Sequence, residues 1–379
     1  MGTTRRSFLR RVTAAGAATL LAPRFSRAWA PTWTRELPEH DMTLRFYPYT
    51  LELKHTFTIA TFSRSTTPVM MVEVEKDGIT GYGEASMPPY LGESHETAKA
   101  FLTNIDMAKY PDPFLLGDIL KDIDAIAPGN TAAKAAMDIA LHDWLGKKMG
   151  QPWYRVLGLN PEKTPVTTFT IGIDTKEVVR QKVKEADEFK VLKVKLGGDN
   201  DKEMITTIRE VTDKPLRVDI NQGWKDRDAA LTMIEWLATK GVEFVEQPMP
   251  KDRLEDMAWL RSKSPLPIVG DESVQRLVDV RKAYGVFDGI NIKLMKSTVL
   301  HEAYAMIRTA KALGMKVMLG CMTETSCAIS AMAQLSPLAD YADLDGAVLI
   351  KNDLFQGASI IDGRVVIGKG PGIGAVKIQ

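Results

Sequence analysis

The feature that most constrains how this chain can fold is a regular alternation that begins near residue 165. Short β-rich runs lie at Thr167–Ile173, Leu192–Leu196, Leu216–Ile220, Phe244–Glu246, Pro267–Val269, Ile290–Leu294, Val317–Leu319 and Tyr341–Leu344. Between them lie amphipathic stretches such as Lys176–Glu188 and Asp228–Thr239. Parallel neighbours need a crossover long enough for a helix, so a strand–helix rhythm of this kind predicts a parallel sheet. Eight repeats of the unit predict an α/β fold, a (β/α)8 barrel. A doubly wound open sheet is the alternative. It is disfavoured because no Gly-x-Gly-x-x-Gly follows the first strand.

Residues 41–160 show a mixed pattern instead. Val69–Val74 reads as a strand, Gly78–Gly83 as a turn, and Ser94–Met107 as a helix with Ser94 at its N-cap. Thr131–Met149 reads as an alanine-rich helix that Asn130 or Thr131 caps and Gly150 ends. This segment is expected to be an N-terminal α+β capping domain, followed by the barrel over 161–346. The Gly368–Gly374 stretch has no following helix and no Lys-Ser/Thr pair, so it is not a phosphate loop. Residues 347–379 are expected to return to the capping domain and complete it.

The charges fall at the strand ends. Lys193 and Lys195 sit inside an apolar run, Asp219 and Glu246 close two further strands, Asp271 follows the next, and Lys293 lies in the one after. Gaps of 24, 27, 25 and 22 residues separate Lys195, Asp219, Glu246, Asp271 and Lys293, each about one βα unit. One ionisable group therefore recurs at the C-terminal end of each successive strand, the barrel face where catalytic groups converge. Three carboxylates with no neighbouring His or Cys make an all-oxygen donor set suited to Mg²⁺. Lys195 and Lys293, on the second and sixth strands, face each other across the mouth, and Lys193 shares the face of Lys195. A metal that stabilises an enediolate and a lysine that removes an α-proton from a carboxylate substrate would follow.

These residues resemble, strand by strand, the enolase superfamily and within it the muconate-lactonizing subgroup. The resemblance covers essentially the whole chain after its first 30 residues. It implies that Asp219, Glu246 and Asp271 bind one Mg²⁺ per subunit and that Lys195 and Lys293 form the acid/base pair, with Lys193 beside them. None of the five histidines falls at the end of the seventh strand, which separates this chain from subgroups built on a His–Asp dyad. Three features are similar to dipeptide epimerases of the L-Ala-D/L-Glu type. Asp343-Leu344-Asp345 would hold a substrate's α-ammonium. Gly320–Ser326, with Thr323, resembles the family's loop after the seventh strand. Arg64, in Phe57–Arg64, matches the arginine that receives a glutamate side chain. The resemblance thus implies an isomerase, inverting the second residue of a dipeptide by two-lysine proton transfer, in murein peptide metabolism. o-Succinylbenzoate synthase, N-acylamino acid racemase and muconate cycloisomerase share the catalytic set, but their substrates offer no ammonium to the Asp pair. A non-catalytic periplasmic binding protein would be expected to have lost a ligand or a lysine.

The formal charge of +1 combines two unlike parts. Residues 1–30 carry six arginines and no other charge, leaving a body of −5. Nothing here points to nucleic acid. Thr4-Arg5-Arg6-Ser7-Phe8-Leu9-Arg10, an apolar run from Val12 to Leu21, and Ala28-Trp29-Ala30 have the layout of a twin-arginine signal peptide. The run is too short to span a bilayer, so no integral membrane protein is expected. Export to the periplasm by the twin-arginine machinery is expected, with a dipeptide as ligand and further copies of the chain as partners in any homo-oligomer. Cys321 and Cys327 form no disulfide framework and read as buried small apolar residues.

Overall fold

The computed structural model describes residues 41–298 and 300–378; the arginine-rich leader lies outside them. The chain begins with an antiparallel sheet of β1 (Thr43–Thr58), β2 (Ser63–Lys76) and β3 (Ile79–Ser86), in that order. Helices α1 (His95–Thr103), α2 (Leu116–Ala125) and α3 (Thr131–Met149) follow, then the short α4 (Trp153–Val156). α1 and α3 pack on the sheet, and α2 packs on α3.

The reversal expected over Gly78–Gly83 is confined to Asp77-Gly78, both at positive φ (56° and 72°). Gly81 and Gly83 lie inside β3 and face α3. A Cβ on Gly81 would stand 2.2 Å from the Ala140 carbonyl oxygen, and one on Gly83 1.9 Å from that of Ala136. These glycines let a helix backbone approach a sheet; they do not make a turn. They also explain the alanines of α3, which is buried along Ala132–Gly146.

Ser94 caps α1 as expected, its Oγ accepting from the Thr97 N–H at 3.3 Å. The helix stops at Thr103, short of Met107, where Asn104 Nδ2 turns back to donate to the Ala100 carbonyl. α3 has the expected ends, with Gly150 in the left-handed conformation. Its cap, however, is neither Asn130 nor Thr131: the Glu93 carboxylate accepts from the Ala132 and Ala133 N–H groups and the Thr131 hydroxyl. A carboxylate at a helix N-terminus meets both the free N–H groups and the helix dipole.

The barrel follows: β4 (Thr168–Ile171), α5 (Lys176–Glu185), β5 (Val191–Lys195), α6 (Asp201–Arg209), β6 (Leu216–Asp219), α7 (Arg227–Ala238), β7 (Val242–Glu246), α8 (Leu254–Lys263), β8 (Ile268–Gly270), α9 (Leu277–Ala283), β9 (Gly289–Ile292), α10 (Leu294–Ser297), α11 (Leu300–Ala312), β10 (Lys316–Gly320), α12 (Ser326–Ala333) and β11 (Tyr341–Asp343). All eight strands are parallel and ordered as in the chain, and a bridge between Thr167 and Ala342 joins the last to the first. The expected barrel is the fold observed.

The last segment forms β12 (Phe355–Gln356), the hairpin β13 (Ser359–Ile361) and β14 (Arg364–Val366), and β15 (Val376–Lys377), which pairs with β12. Its anchor is Asp143, fully buried in α3. The two carboxylate oxygens accept from the Tyr82 N–H at 2.9 Å and the Ile373 N–H at 3.0 Å. Among the described residues, no helix is long and apolar enough to cross a membrane.

Candidate active site

Strand register brings the site together. Lys195 pairs with Asp219 across β5 and β6, and Asp219 with Glu246 across β6 and β7, so three ionisable residues stand in one row at the barrel mouth. Asp271 follows directly after β8 and Lys293 after β9. All five are buried.

One oxygen each from Asp219, Glu246 and Asp271 lies within 4.8 Å of the others, a spacing that could hold a metal ion. Lys195 Nζ donates to Asp219 Oδ2 at 2.6 Å and Lys293 Nζ to Asp271 Oδ2 at 2.8 Å. Lys193 lies below, its Nζ 2.7 Å from Asp343 Oδ2, 2.8 Å from Glu246 Oε2 and 3.1 Å from Asp219 Oδ2. Burial opposes the charge on Lys193, but the Asp343, Glu246 and Asp219 carboxylates outweigh it and raise its pKa well above the ordinary lysine value. Burial likewise opposes ionisation of Asp219, yet the Lys195 and Lys193 ammonium groups hold it at about 2. Glu246 is pushed up to about 7, first by burial and then by the charge of Asp219. Its Oε2, although close to Lys193, has no partner in hydrogen-bond geometry. A buried carboxylate crowded by two others and left with an unpartnered oxygen fits a hard divalent cation bound through oxygen, as Mg²⁺ is.

On the opposite side of the mouth, Asp343 Oδ1 accepts from the Thr168 hydroxyl at 2.6 Å. Asp345 Oδ2 accepts from the Thr170 N–H at 2.6 Å. Burial and then the neighbouring Asp343 push Asp345 up to about 7. The capping domain supplies the roof. Arg64 Nη1 donates to the Thr67 hydroxyl, which stands 2.6 Å from the Thr323 hydroxyl. The Arg64 Nε–H is buried without a partner, and burial lowers the guanidinium pKa to about 10. An underpaired buried cation of this kind is a receptor for an anionic group.

A cavity at the mouth is lined by Lys195, Asp271, Lys293, Asp343 and Asp345 from the barrel, and by Arg64, Tyr90 and Thr323 above them. Lys193, Asp219 and Glu246 are not on its wall but form the floor beneath. A second cavity, of about 380 Å³, adjoins it and shares Phe57, Thr170 and Leu349.

Four residues of the site are not legible as such in the sequence. Glu272 lines the cavity, with its Oε2 buried and unpartnered. Tyr90 lines it from above and donates its hydroxyl to the Met322 sulfur at 3.0 Å. Cys321, read as a buried apolar residue, in fact lines the cavity, its Sγ donating to the Asp343 carbonyl at 3.2 Å; Cys327 is buried as expected. Lys296 is buried and bonded to Asp271. Its signal was the three-residue spacing from Lys293 at a helix start.

Comparison with known proteins agrees with this architecture. Residues 43–158 match the model of the mandelate racemase / muconate lactonizing enzyme N-terminal domain, and residues 175–376 the enolase C-terminal domain-like model. The L-Ala-D/L-Glu epimerase of Bacteroides thetaiotaomicron is 60% identical over 338 residues, covering 89% of this chain and 88% of the relative. The substrate-liganded L-Ala-D/L-Glu epimerase from Bacillus subtilis superposes with a TM-score of 0.81 at 28% identity, over 89% of this chain and 99% of that one. The dipeptide epimerase from Enterococcus faecalis complexed with Mg and L-Leu-L-Tyr gives a TM-score of 0.81 at 31% identity, over 89% and 99%. With both domain models matched and a relative this similar along its length, the chain belongs to the enolase superfamily, in its mandelate racemase / muconate lactonizing branch.

Proposed function

We propose that this protein is a Mg²⁺-dependent dipeptide epimerase that inverts the α-carbon of the second residue of L-Ala-D/L-Glu. The observation that carries the reading is the 60% identity to an L-Ala-D/L-Glu epimerase along 89% of the chain. A filled complement of lysines, carboxylates and Arg64 around one cavity supports it, and leaves no support for an inert binding protein.

In this reading the dipeptide lies across the mouth with its ammonium at Asp343 and Asp345 and its glutamate side chain at Arg64. Mg²⁺, held by Asp219, Glu246 and Asp271, supplies positive charge that acidifies the α-proton of the carboxylate it meets. Lys195 and Lys293 then work from opposite faces. Burial disfavours the charged form of Lys293, but Asp271 outweighs it and raises the pKa well above the ordinary lysine value. One lysine takes the α-proton and the other returns a proton to the opposite face, and the roles exchange for the other epimer. Lys193, pinned among Asp343, Glu246 and Asp219, keeps its charge and neutralises the floor.

The test is a panel of dipeptides in D₂O. L-Ala-L-Glu and L-Ala-D-Glu should both take up deuterium at the second α-carbon. Arg64→Ala should lower kcat/KM for these roughly 10–100-fold, the worth of a hydrogen bond to a charged group, and leave uncharged second residues little affected. Exchange confined to hydrophobic or cationic dipeptides would overturn the substrate and keep the chemistry.

The leader supports a location. Arg5 and Arg6, the apolar run and the small-residue site fit export to the periplasm by the twin-arginine route. Replacing both arginines with lysine should leave the protein in the cytoplasm.

A further inference from the structure

We propose that Lys296 is a positioning residue that holds the Asp271 carboxylate in place for Mg²⁺ and limits its grip on Lys293. The inference rests on the proton-transfer reading above.

Lys296 is only 1% exposed and is absent from the cavity wall. Its Nζ meets four acceptors: Asp271 Oδ1 at 2.5 Å, the Asp271 carbonyl at 2.7 Å, the Asn291 carbonyl at 2.9 Å and the Val274 carbonyl at 3.1 Å. An ammonium has three protons to give, so this one is saturated within the protein and cannot reach substrate. Burying a charge this completely is costly unless it is paired. An apolar side chain could fill the same volume without that cost, so the charge at this position calls for a reason other than packing.

The reason lies in how the two oxygens of Asp271 are divided. Lys293 opens the single turn of α10, and the Lys296 N–H donates to the Lys293 carbonyl at 3.0 Å. Residues three apart on a helical turn project on the same side. Both lysines accordingly reach Asp271, Lys296 to Oδ1 and Lys293 to Oδ2 at 2.8 Å. Two further bonds from the Lys296 ammonium fix the Asp271 and Val274 carbonyls, and so the backbone on which the carboxylate is mounted. Without Lys296, Oδ1 would be a buried anionic oxygen that has lost its donor, while Lys293 still holds the other oxygen. The carboxylate would turn to offer both oxygens to Lys293. It would leave the row it shares with Asp219 and Glu246.

The test measures binding of Mg²⁺ alone, by titration calorimetry, to the whole protein and to Lys296→Met. Partners that orient metal ligands are typically worth 10–100-fold in metal affinity, so the dissociation constant should rise about tenfold or more. Any smaller change overturns the proposal. Lys134→Met is the control for loss of a buried lysine: Lys134 is 3% exposed and binds the Asp124 and Ala127 carbonyls away from the barrel mouth. It should lower the melting temperature and leave Mg²⁺ affinity unchanged. If Lys296→Met does not fold, Lys296→Gln, which keeps an amide donor and loses the charge, carries the same measurement and threshold. The titration needs no dipeptide, so failure of every dipeptide to exchange would remove the function reading and leave the role of Lys296 standing or falling on its own.

Discussion

Lys193 Nζ lies 2.7 Å from Asp343 Oδ2, which ties the second barrel strand to the eighth across the floor of the site. With Thr168 on its other oxygen, Asp343 is engaged on both sides, and Asp345, held by the Thr170 N–H alone, is the less engaged of the two carboxylates set to meet an incoming ammonium. Asp345 is raised to about 7, so it is a carboxylate above that pH and a neutral acid below it. KM for dipeptides should therefore rise as pH falls through about 7. Asp345→Asn should remove this dependence and raise KM at pH 8 by roughly 10–100-fold, the worth of a charge-assisted hydrogen bond. Steady-state kinetics from pH 6 to 9 on both proteins check it.

Removing one lysine should split the reaction in two. Lys293→Ala leaves Lys195 beside Asp219 with no group on the opposite face. Epimerisation should fall by roughly 10²–10⁴-fold, the usual contribution of a general acid or base. Deuterium exchange should persist for the one epimer whose α-proton faces Lys195. Retention of full epimerisation would sink the two-base scheme, and NMR of each epimer in D₂O decides it.

Protons should compete with Mg²⁺ at Glu246. Its pKa is raised to about 7, so below that pH the metal must displace a proton, and above it the carboxylate is already charged. Mg²⁺ affinity should decline steadily from pH 8 to pH 6, approaching tenfold per pH unit at the acid end if one proton is displaced. Calorimetric titrations in buffers of different ionisation enthalpy would also count that proton.

Stability should improve at Thr298. This residue ends α10 at φ 69°, and its Oγ1 is buried without a partner. A β-branched side chain at positive φ is strained, and an unpartnered hydroxyl adds a desolvation cost. Thr298→Gly removes both and gives back part as backbone entropy. A net gain of about 1 kcal/mol is expected, read as a higher melting temperature by calorimetry.

What could be read from the sequence was what the chain repeats. Each βα unit delivers one residue to the barrel mouth, so Lys195, Asp219, Glu246, Asp271 and Lys293 announce themselves by spacing alone. The other features depend on contacts between distant segments. Gly81 and Gly83 resembled turn residues because the helix that crosses them lies more than fifty positions away. The cap of α3 was sought in Asn130 and Thr131 because they adjoin it, while the carboxylate that caps it comes from Glu93. Lys296 carries no reading in the sequence, since nothing in its own window shows that Asp271 folds back onto it. Local pattern specified the frame and the first ring of charges, and tertiary contact specified what holds that ring in place.

The joint at Asp143 sets an order of events for the growing chain. Asp143 in α3 is made 230 residues before the Ile373 amide that completes the joint. The domain that roofs the chamber therefore cannot complete this joint until the barrel that lies between has been made. Transport of an unfolded thread would postpone that closure to the far side of the membrane. The proposed passage through a route that accepts folded cargo would let the C-terminal segment lock the first domain before any crossing.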